Sequence, residues 1–525
     1  QRAYTPKEDA ASPTIATEAV FLTTVIDALE GREVAVVDVP GAFMQADMDE
    51  LTHVKFTGKM VDLLMEIDRE MYEPYVRTER GEKVMYVKLL KALYGTLRAA
   101  RLFWDKLSSK LKEWGFTKNA YDPCVCNKIV NGKQLTVGWH VDDLKVSHID
   151  VHVVDDFISQ MNNEFGRETP MNISRGKVHD YLGMILDFSK AGEVSINMSD
   201  YVKNILHHAP AEMRGIAMTP AGRSLFQVNP EPQLLDEARK SEFVTLVMQC
   251  LYLSQRARPD IRTAISFLTG RLQSPDEDDY KKMTRVIKYL RGTVDMVLTL
   301  GANDSGVVEW WVDASFAVHA DMKGHTGGTM TLGKGSVYST STKQKLVTRS
   351  STESEVVGVY DVMPQVLWTG YFLKGQGFEV KETKLYQDNM SSILLEKNGK
   401  SSSSKRTRHM EIRYFFVKDR VESKEVTIEH CPTGLMIADY FTKPLQGHQF
   451  KTLRNLVMNL GPSSRYYYYS SSERSVLSPG ESDADVRVEH DVGHAIPAKP
   501  STPSKAVRWA RCLVQAARRS SHFFG

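Results

Sequence analysis

The sequence predicts an α+β multidomain protein, on three observations. Short β-rich runs alternate with amphipathic helices in the first part of the chain. A mostly helical stretch follows over 215–300, and strand-like sequence returns from Val307. The 525 residues, 42% hydrophobic, suffice for about three or four cores at roughly 150 residues each and exclude wholesale disorder.

The elements follow in order. Val20, Phe21, Val25, Ile26 and Leu29 fall near helical spacing over Thr17 to Leu29, and Gly31 ends that helix. Val34 to Val37 is a short β run that stops at Asp38. Tyr94-Gly95 breaks the chain. Phe103, Leu107, Leu111 and Trp114 then mark a helix closed by Gly115, a stripe read as core. Leu135 to Ser147 reads as a hairpin with Asp142-Asp143 at its turn. Within 215–300, Phe243 to Leu251, Ile261 to Leu268 and Tyr280 to Leu290 mark three helices, the last closed by Arg291-Gly292.

Val307 to Val312 is a strand leading to Asp313, with further strand candidates at Gly327 to Leu332 and Gly335 to Tyr338. A helix starts near Ser351-Thr352 with Glu353 and Glu355 in its first turn. Lys384 to Gln387 is a strand ending at Asp388, and the strand Glu425 to His430 precedes a helix carrying Asp439. Residues 462–525, with Tyr466 to Tyr469 in a row, read as a disordered tail. Its last stretch, Lys505 to Arg519, is basic with apolar residues between, the pattern of a nucleic-acid or membrane-surface helix or of an uninformative tail.

Lys plus Arg number 67 and Asp plus Glu 65, so the net charge is +2 and any basic surface is local. Lys88, Lys91, Arg98 and Arg101 form one such cluster. Lys400, Lys405, Arg406, Arg408 and His409 form another. Either could follow a phosphate backbone or be plain solvated surface. The five cysteines, Cys124, Cys126, Cys250, Cys431 and Cys512, are odd in number and irregularly spaced, which argues against a disulfide framework. Cys124 and Cys126 lack a partner pair or a nearby His set for zinc. No apolar run reaches the roughly 18 residues of a bilayer span, and no signal peptide is visible. A chain that opens at Gln1 rather than Met is expected to be a piece of a longer product.

Acidic residues at strand ends and helix starts fall into two sets. The first is Asp38, Asp142 and Asp143. The second is Asp313, Glu355, Asp388 and Asp439. Adjacent carboxylates repel, so they favour either a cation or full solvation. Taken singly, such residues are commonly turns and caps. Taken as sets, they match the needs of phosphoryl transfer, where carboxylates hold two Mg²⁺ ions roughly 3.5–4 Å apart.

Motif order names a family. Val37-Asp38-Val39-Pro40-Gly41-Ala42-Phe43 resembles the first metal-binding motif of Ty1/copia-type reverse transcriptases. Lys91-Ala92-Leu93-Tyr94-Gly95-Thr96-Leu97-Arg98-Ala99-Ala100-Arg101 resembles their template-side helix motif. His140-Val141-Asp142-Asp143 resembles their paired-Asp hairpin, and Tyr181-Leu182-Gly183-Met184 their primer-gripping hairpin. Arg258-Pro259-Asp260-Ile261 and Lys288-Tyr289-Leu290-Arg291-Gly292-Thr293 match the connecting segment. Val312-Asp313-Ala314-Ser315, Ser350 to Glu355, Tyr386-Gln387-Asp388-Asn389 and Ile437 to Leu445 resemble the family's ribonuclease H domain. The likeness covers roughly residues 10–460.

The resemblance implies a palm with partial fingers over 1–214 and a helical thumb and connection over 215–300. A mixed-sheet α/β ribonuclease H-like domain over 301–461 and the tail over 462–525 complete the chain. It implies an RNA-directed DNA polymerase that also cleaves the RNA of RNA–DNA hybrids. Asp38 and Asp142 would bind the polymerase metals with Asp143 as accessory. Asp313, Glu355, Asp388 and Asp439 would bind those of the nuclease. Each site would take two Mg²⁺, or Mn²⁺. Phe43 would be the gate that excludes a 2′-OH, while Arg98, a departure from the family's motif, could salt-bridge a phosphate or distort the nucleotide site. Glu355 is preferred to Glu353 because Val356-Val357-Gly358-Val359 continues an apolar helix after it, which leaves Glu353 as a solvated first-turn residue.

The implied partners are an RNA template, a DNA primer, their hybrid and deoxynucleoside triphosphates, with no membrane. The integrase, protease and capsid parts of the polyprotein are absent from this stretch. The implied location is intracellular, in a cytoplasmic virus-like particle and in the nucleus. The sequence departs from the family pattern at His140, Arg98 and Ala100, and the family's first finger strands would lie upstream of Gln1. These departures keep two alternatives open, an inactive retroelement remnant that at most binds nucleic acid and a hybrid nuclease active only in residues 301–460.

Overall fold

A computed structural model describes residues 11–399 and 411–461. The basic cluster Lys400 to His409 and the 462–525 segment, with Tyr466 to Tyr469, Cys512 and Lys505 to Arg519, lie outside them. The fold is α+β and built on several sheets. A six-stranded sheet carries Glu33–Asp38 between Asp143–His148 and Asn172–Ser174. The Lys133–His140 and Asp122–Val130 strands extend it beyond Asp143–His148. Val34 to Val37 are all buried, so this is a two-faced central strand, as its unbroken apolar run implies. The Thr17–Glu30 helix before it ends at Gly31, whose φ of 65° is the left-handed conformation that glycine adopts without cost.

A second sheet of five strands orders Val178–Tyr181, Met184–Asp187, Val194–Asn197, Leu298–Ala302 and Gly333–Lys334. Leu298–Ala302 is thus a strand at the end of a stretch expected to be mostly helical. Its alternate residues Leu298 and Leu300 are buried, and it pairs with Val194–Asn197 in a ladder that no local periodicity reveals. The stretch is otherwise helical, with Glu237–Ser254, Arg262–Thr269 and Glu277–Arg291. One sheet therefore takes strands from before residue 214, from 215–300 and from after 301.

A third sheet orders Tyr338–Lys343, His325–Thr331, Val307–Ser315, Glu382–Gln387 and Thr427–His430. The first three run antiparallel. Glu382–Gln387 runs parallel to Val307–Ser315 after the long Ser351–Gly375 helix. The strand expected at Gly335 to Tyr338 forms instead at Tyr338–Lys343. Gly335 is at φ 68° with its backbone against the Thr299 carbonyl, so it turns the chain between two sheets.

Most buried apolar side chains form one continuous cluster from Ile15 to Met458, and Val356, Val357 and Leu395 form a second, small one. The 351–375 helix is tied to the first sheet by polar contacts. Trp368 Nε1 donates to the Tyr121 carbonyl (2.9 Å), Asn119 Nδ2 to the Phe372 carbonyl (3.2 Å) and Gln134 Nε2 to the Gln376 carbonyl (2.8 Å).

The connecting motif explains itself as a buried clamp. Arg258 Nε and Nη2 donate to the two Asp260 oxygens, both at 2.8 Å, and Tyr289 Oη donates to Asp260 Oδ2 at 2.7 Å. Both charges are essentially inaccessible. The clamp reaches onward, since Tyr440 Oη donates to the Asp260 carbonyl (3.1 Å) and Thr263 Oγ1 to the Tyr440 carbonyl (2.8 Å). Asp260→Ala leaves Arg258 buried without its counter-charge. We expect a loss of about 3–5 kcal/mol, read as a lowered urea midpoint. A loss below about 1 kcal/mol would show that the pair is not a structural clamp.

Candidate active sites

The first acidic set meets at one end of the six-stranded sheet. Asp38 ends its strand directly opposite Asp143, and Val39 N–H donates to the Asp142 carbonyl at 3.0 Å. Residues 134 positions apart from Asp38 also converge there, since Asn172 Nδ2 donates to Asp38 Oδ2 at 3.0 Å. All three carboxylates are half-buried. The expected turn residues are shifted by one. His140 pairs with Asp143, so Val141-Asp142 is the two-residue turn and Asp143 is the first residue of the return strand. Val141 is at φ 60°. A β-branched residue there is strained by roughly 1–3 kcal/mol, and the ladders on both sides hold it. Among the described residues these three carboxylates do not form a cluster with all ligand atoms within 4.8 Å of one another.

Around this set, the Phe43 ring lies against Tyr94, centroids 4.3 Å apart. Arg98 forms ion pairs with Asp49 (2.6 Å) and with Glu50. Lys91 pairs with Asp47 at 2.6 Å and Arg101 with Asp105 at 3.0 Å. Three of the four cations of the expected basic cluster are thus matched by acids of the same chain. Neither Asp49 nor Glu50 is near Arg98 in sequence, so sequence spacing gave no signal of this. Burial lowers the pKa of His140, with Arg256 adding to the effect. The Tyr181–Met184 hairpin turns at Leu182 and Gly183, and Tyr252 of the 237–254 helix donates to the Leu182 carbonyl at 2.9 Å. Cys124 and Cys126 are buried free thiols, and burial pushes Cys124 up to about 12.

The second set is tighter. Asp313, Glu355 and Asp388 each offer an oxygen, all within 4.8 Å of one another. Asp313 comes from the middle strand, Glu355 from the first turns of the 351–375 helix, and Asp388 from the residue after the parallel strand. Gln387 fixes two of them. Its Nε2 donates to Glu355 (3.2 Å), and its Oε1 accepts from the Asp388 and Asn389 amides at 2.7 and 3.1 Å. Burial, then Asp313 and Asp388, raise the Glu355 pKa well above its ordinary value. Oxygen ligands gathered at such a cost suit a hard divalent cation.

Asp439 joins from the side. Lys443, one helical turn on, reaches Asp439 at 2.5 Å and Asp313 at 3.5 Å, and Thr442 Oγ1 donates to Asp313. Burial and the Asp313 charge raise Asp439 to about 7. The i,i+4 spacing of Asp439 and Lys443 was the available signal for this ion pair. Gly327, opposite Asp313, permits the approach. A Cβ there would lie 2.7–2.9 Å from Thr442, Ala438 and Phe441. Glu353 departs from expectation. It is buried and accepts from the Arg349 amide at 2.7 Å, while the Ser350 side chain accepts from the Glu353 amide, so it caps the helix rather than facing water.

Residues 1–220 match the family model described as reverse transcriptase (RNA-dependent DNA polymerase). The chain is 26% identical over 432 residues to a retrovirus-related Pol polyprotein from transposon TNT 1-94 of Nicotiana tabacum, covering 81% of this chain and 31% of that one. It is 24% identical over 454 residues to the Pol polyprotein from transposon RE1 of Arabidopsis thaliana, covering 85% and 29%. A putative transposon Ty5-1 protein of Saccharomyces cerevisiae is 23% identical and matched over its whole length. The chain thus spans under a third of the two plant polyproteins. A foamy viral protease-reverse transcriptase structure in complex with dsDNA aligns over 76% of this chain and 68% of that one, at 10% identity and a TM-score of 0.41. Residues 1–220 are thus similar to the reverse transcriptase family, and over most of its length the chain is similar to the Pol polyproteins of retrotransposons.

Proposed function

We propose that this chain copies RNA into DNA and degrades the RNA of the resulting hybrid. The observation that supports this best is the gathering of Asp313, Glu355 and Asp388 within ligand distance of one another, beside which Asp38 stands opposite Asp143 in the first sheet. In the first reaction the 3′-OH of a DNA primer attacks the α-phosphate of a deoxynucleoside triphosphate and releases pyrophosphate. In the second, water breaks a phosphodiester of the RNA strand, which its 2′-OH distinguishes from DNA.

Asp38 and Asp142 would hold Mg²⁺ at the first site, and Asp313, Glu355 and Asp388 at the second. The bound ions would supply activation of the attacking oxygen and charge stabilisation of the leaving oxygen. This chain's own residues set the geometry. Phe43, five residues after Asp38, packs its ring on Tyr94, and such a ring under the sugar would leave no room for a 2′-OH. The 181–184 hairpin, fixed by Tyr252, would steady the primer end. Gln387 holds Glu355 and the Asp388 turn in place before any cation arrives, and Lys443 balances Asp439 and Asp313.

Primer extension on an RNA template and cleavage of a labelled hybrid, both with Mg²⁺, test the reading. Asp142→Asn abolishes extension and spares cleavage, and Asp388→Asn does the reverse. Phe43→Ala raises ribonucleotide incorporation in the same extension assay, and an unchanged ratio removes the gate from the account. No product from the unmutated chain in either assay selects the inactive remnant. Cleavage without extension selects the hybrid nuclease.

The acid pair also makes a pH prediction. A carboxyl whose folded-state pKa is raised is favoured in its protonated form, so its stabilisation is present at low pH and lost as pH rises towards about 7. In chelator, the Tm of Asp439→Asn minus that of the unmutated chain should therefore grow from pH 5 to pH 8, and Mg²⁺ should shrink it. A difference independent of pH would contradict the strained acid cluster.

A further inference from the structure

A cavity of about 160 Å³ lies where the 17–30 helix, the end of the 237–254 helix, the start of the 262–269 helix and the 336–339 segment meet. Arg256 and Arg262 line it, with Glu18 as its one carboxylate and Thr17, Ser336 and Ser339 as hydroxyls. Among the described residues the Arg262 guanidinium has no hydrogen-bond or ion-pair partner. Arg256 is held by its flanks. Its guanidinium carbon is 3.7 Å from the centre of the Tyr252 ring and Nη1 reaches the Tyr252 carbonyl at 3.4 Å, while its buried Nε has no partner. The Glu18 charge acts on both arginines, with no ion-pair contact to either among the described residues. Burial lowers the pKa of both guanidinium groups, against the opposing pull of the Glu18 charge. Both helices that open onto the cavity also lack a side-chain cap.

Two half-buried cations that share the charge of one carboxylate leave a net positive cavity, and the forked donors of arginine match tetrahedral oxyanions. The cavity is smaller than the roughly 300 Å³ at which drug-sized pockets begin, so its occupant is compact. We propose that this cavity is a binding site for a single phosphate-class anion, held by Arg262 and Arg256. Two sources share that chemistry, a free inorganic phosphate or pyrophosphate and one phosphodiester of a bound strand. The strand source rests on the polymerase reading, since Arg256 stacks on the same Tyr252 that fixes the Leu182 hairpin. The site itself does not rest on it.

Equilibrium dialysis of the full chain against labelled inorganic phosphate, and separately pyrophosphate, tests the site. Chelator is present throughout, so that no anion is retained through divalent cations at the acidic sets. Saturable binding of one anion per chain is expected. Arg262→Gln should weaken it by about tenfold, and Arg262→Lys should keep most of it. Saturating RNA–DNA hybrid that displaces the labelled anion supports the site and assigns it to a strand phosphodiester. Binding unaffected by hybrid supports the site and assigns it to a free anion. Absence of saturable binding by the unmutated chain, or equal binding by Arg262→Gln and the unmutated chain, overturns the proposal. Neither result depends on primer extension, so this site and the polymerase reading can fail separately.

Discussion

Asp38 faces Asp143 because six consecutive residues of one strand pair in register with six of another, from Glu33 opposite His148 to Asp38 opposite Asp143. Carboxylates repel, so nothing in the acids themselves draws them together. The backbone ladder and the apolar faces of Val34 to Val37 do so, and a slip of one residue would send Asp38 to the other face of the sheet. The Val141 turn shows the same dominance of backbone over local preference. Its left-handed conformation is unfavourable for valine and persists because strands on both sides are already paired.

The second acidic set depends on the same principle at closer range. Three elements deliver Asp313, Glu355 and Asp388, and Gln387 joins two of them by hydrogen bonds. The Asp439 segment is pressed onto the His325–Thr331 strand at Gly327 and anchored behind by Tyr440, which bonds the backbone of Asp260. The Arg258–Asp260 clamp in the connecting helices thus bears on the position of a carboxylate nearly two hundred residues away. That gives the connecting motif a physical task, which is to fix the sheet that carries Asp313 against the helices that precede it.

Much of this was readable from patterning. A β run that stops at an Asp predicted where Asp38 and Asp388 would sit, and the apolar run after Glu355 chose it over Glu353. What patterning could not supply was contact between distant segments. Leu298–Ala302 looked like the end of a helical region because its partner strand is a hundred residues earlier. Glu353 looked solvated because first-turn acids usually are, and only the Arg349 turn folds back to bury it. Arg98 looked available to a phosphate because Asp49 and Glu50 lie far away in sequence.

The account stands on divalent cations binding both acidic sets. Anomalous diffraction from crystals of the chain grown with Mn²⁺ tests this directly. It predicts manganese peaks among Asp313, Glu355 and Asp388 and between Asp38 and Asp142. Crystals saturated with Mn²⁺ that show no peak at either place would contradict it.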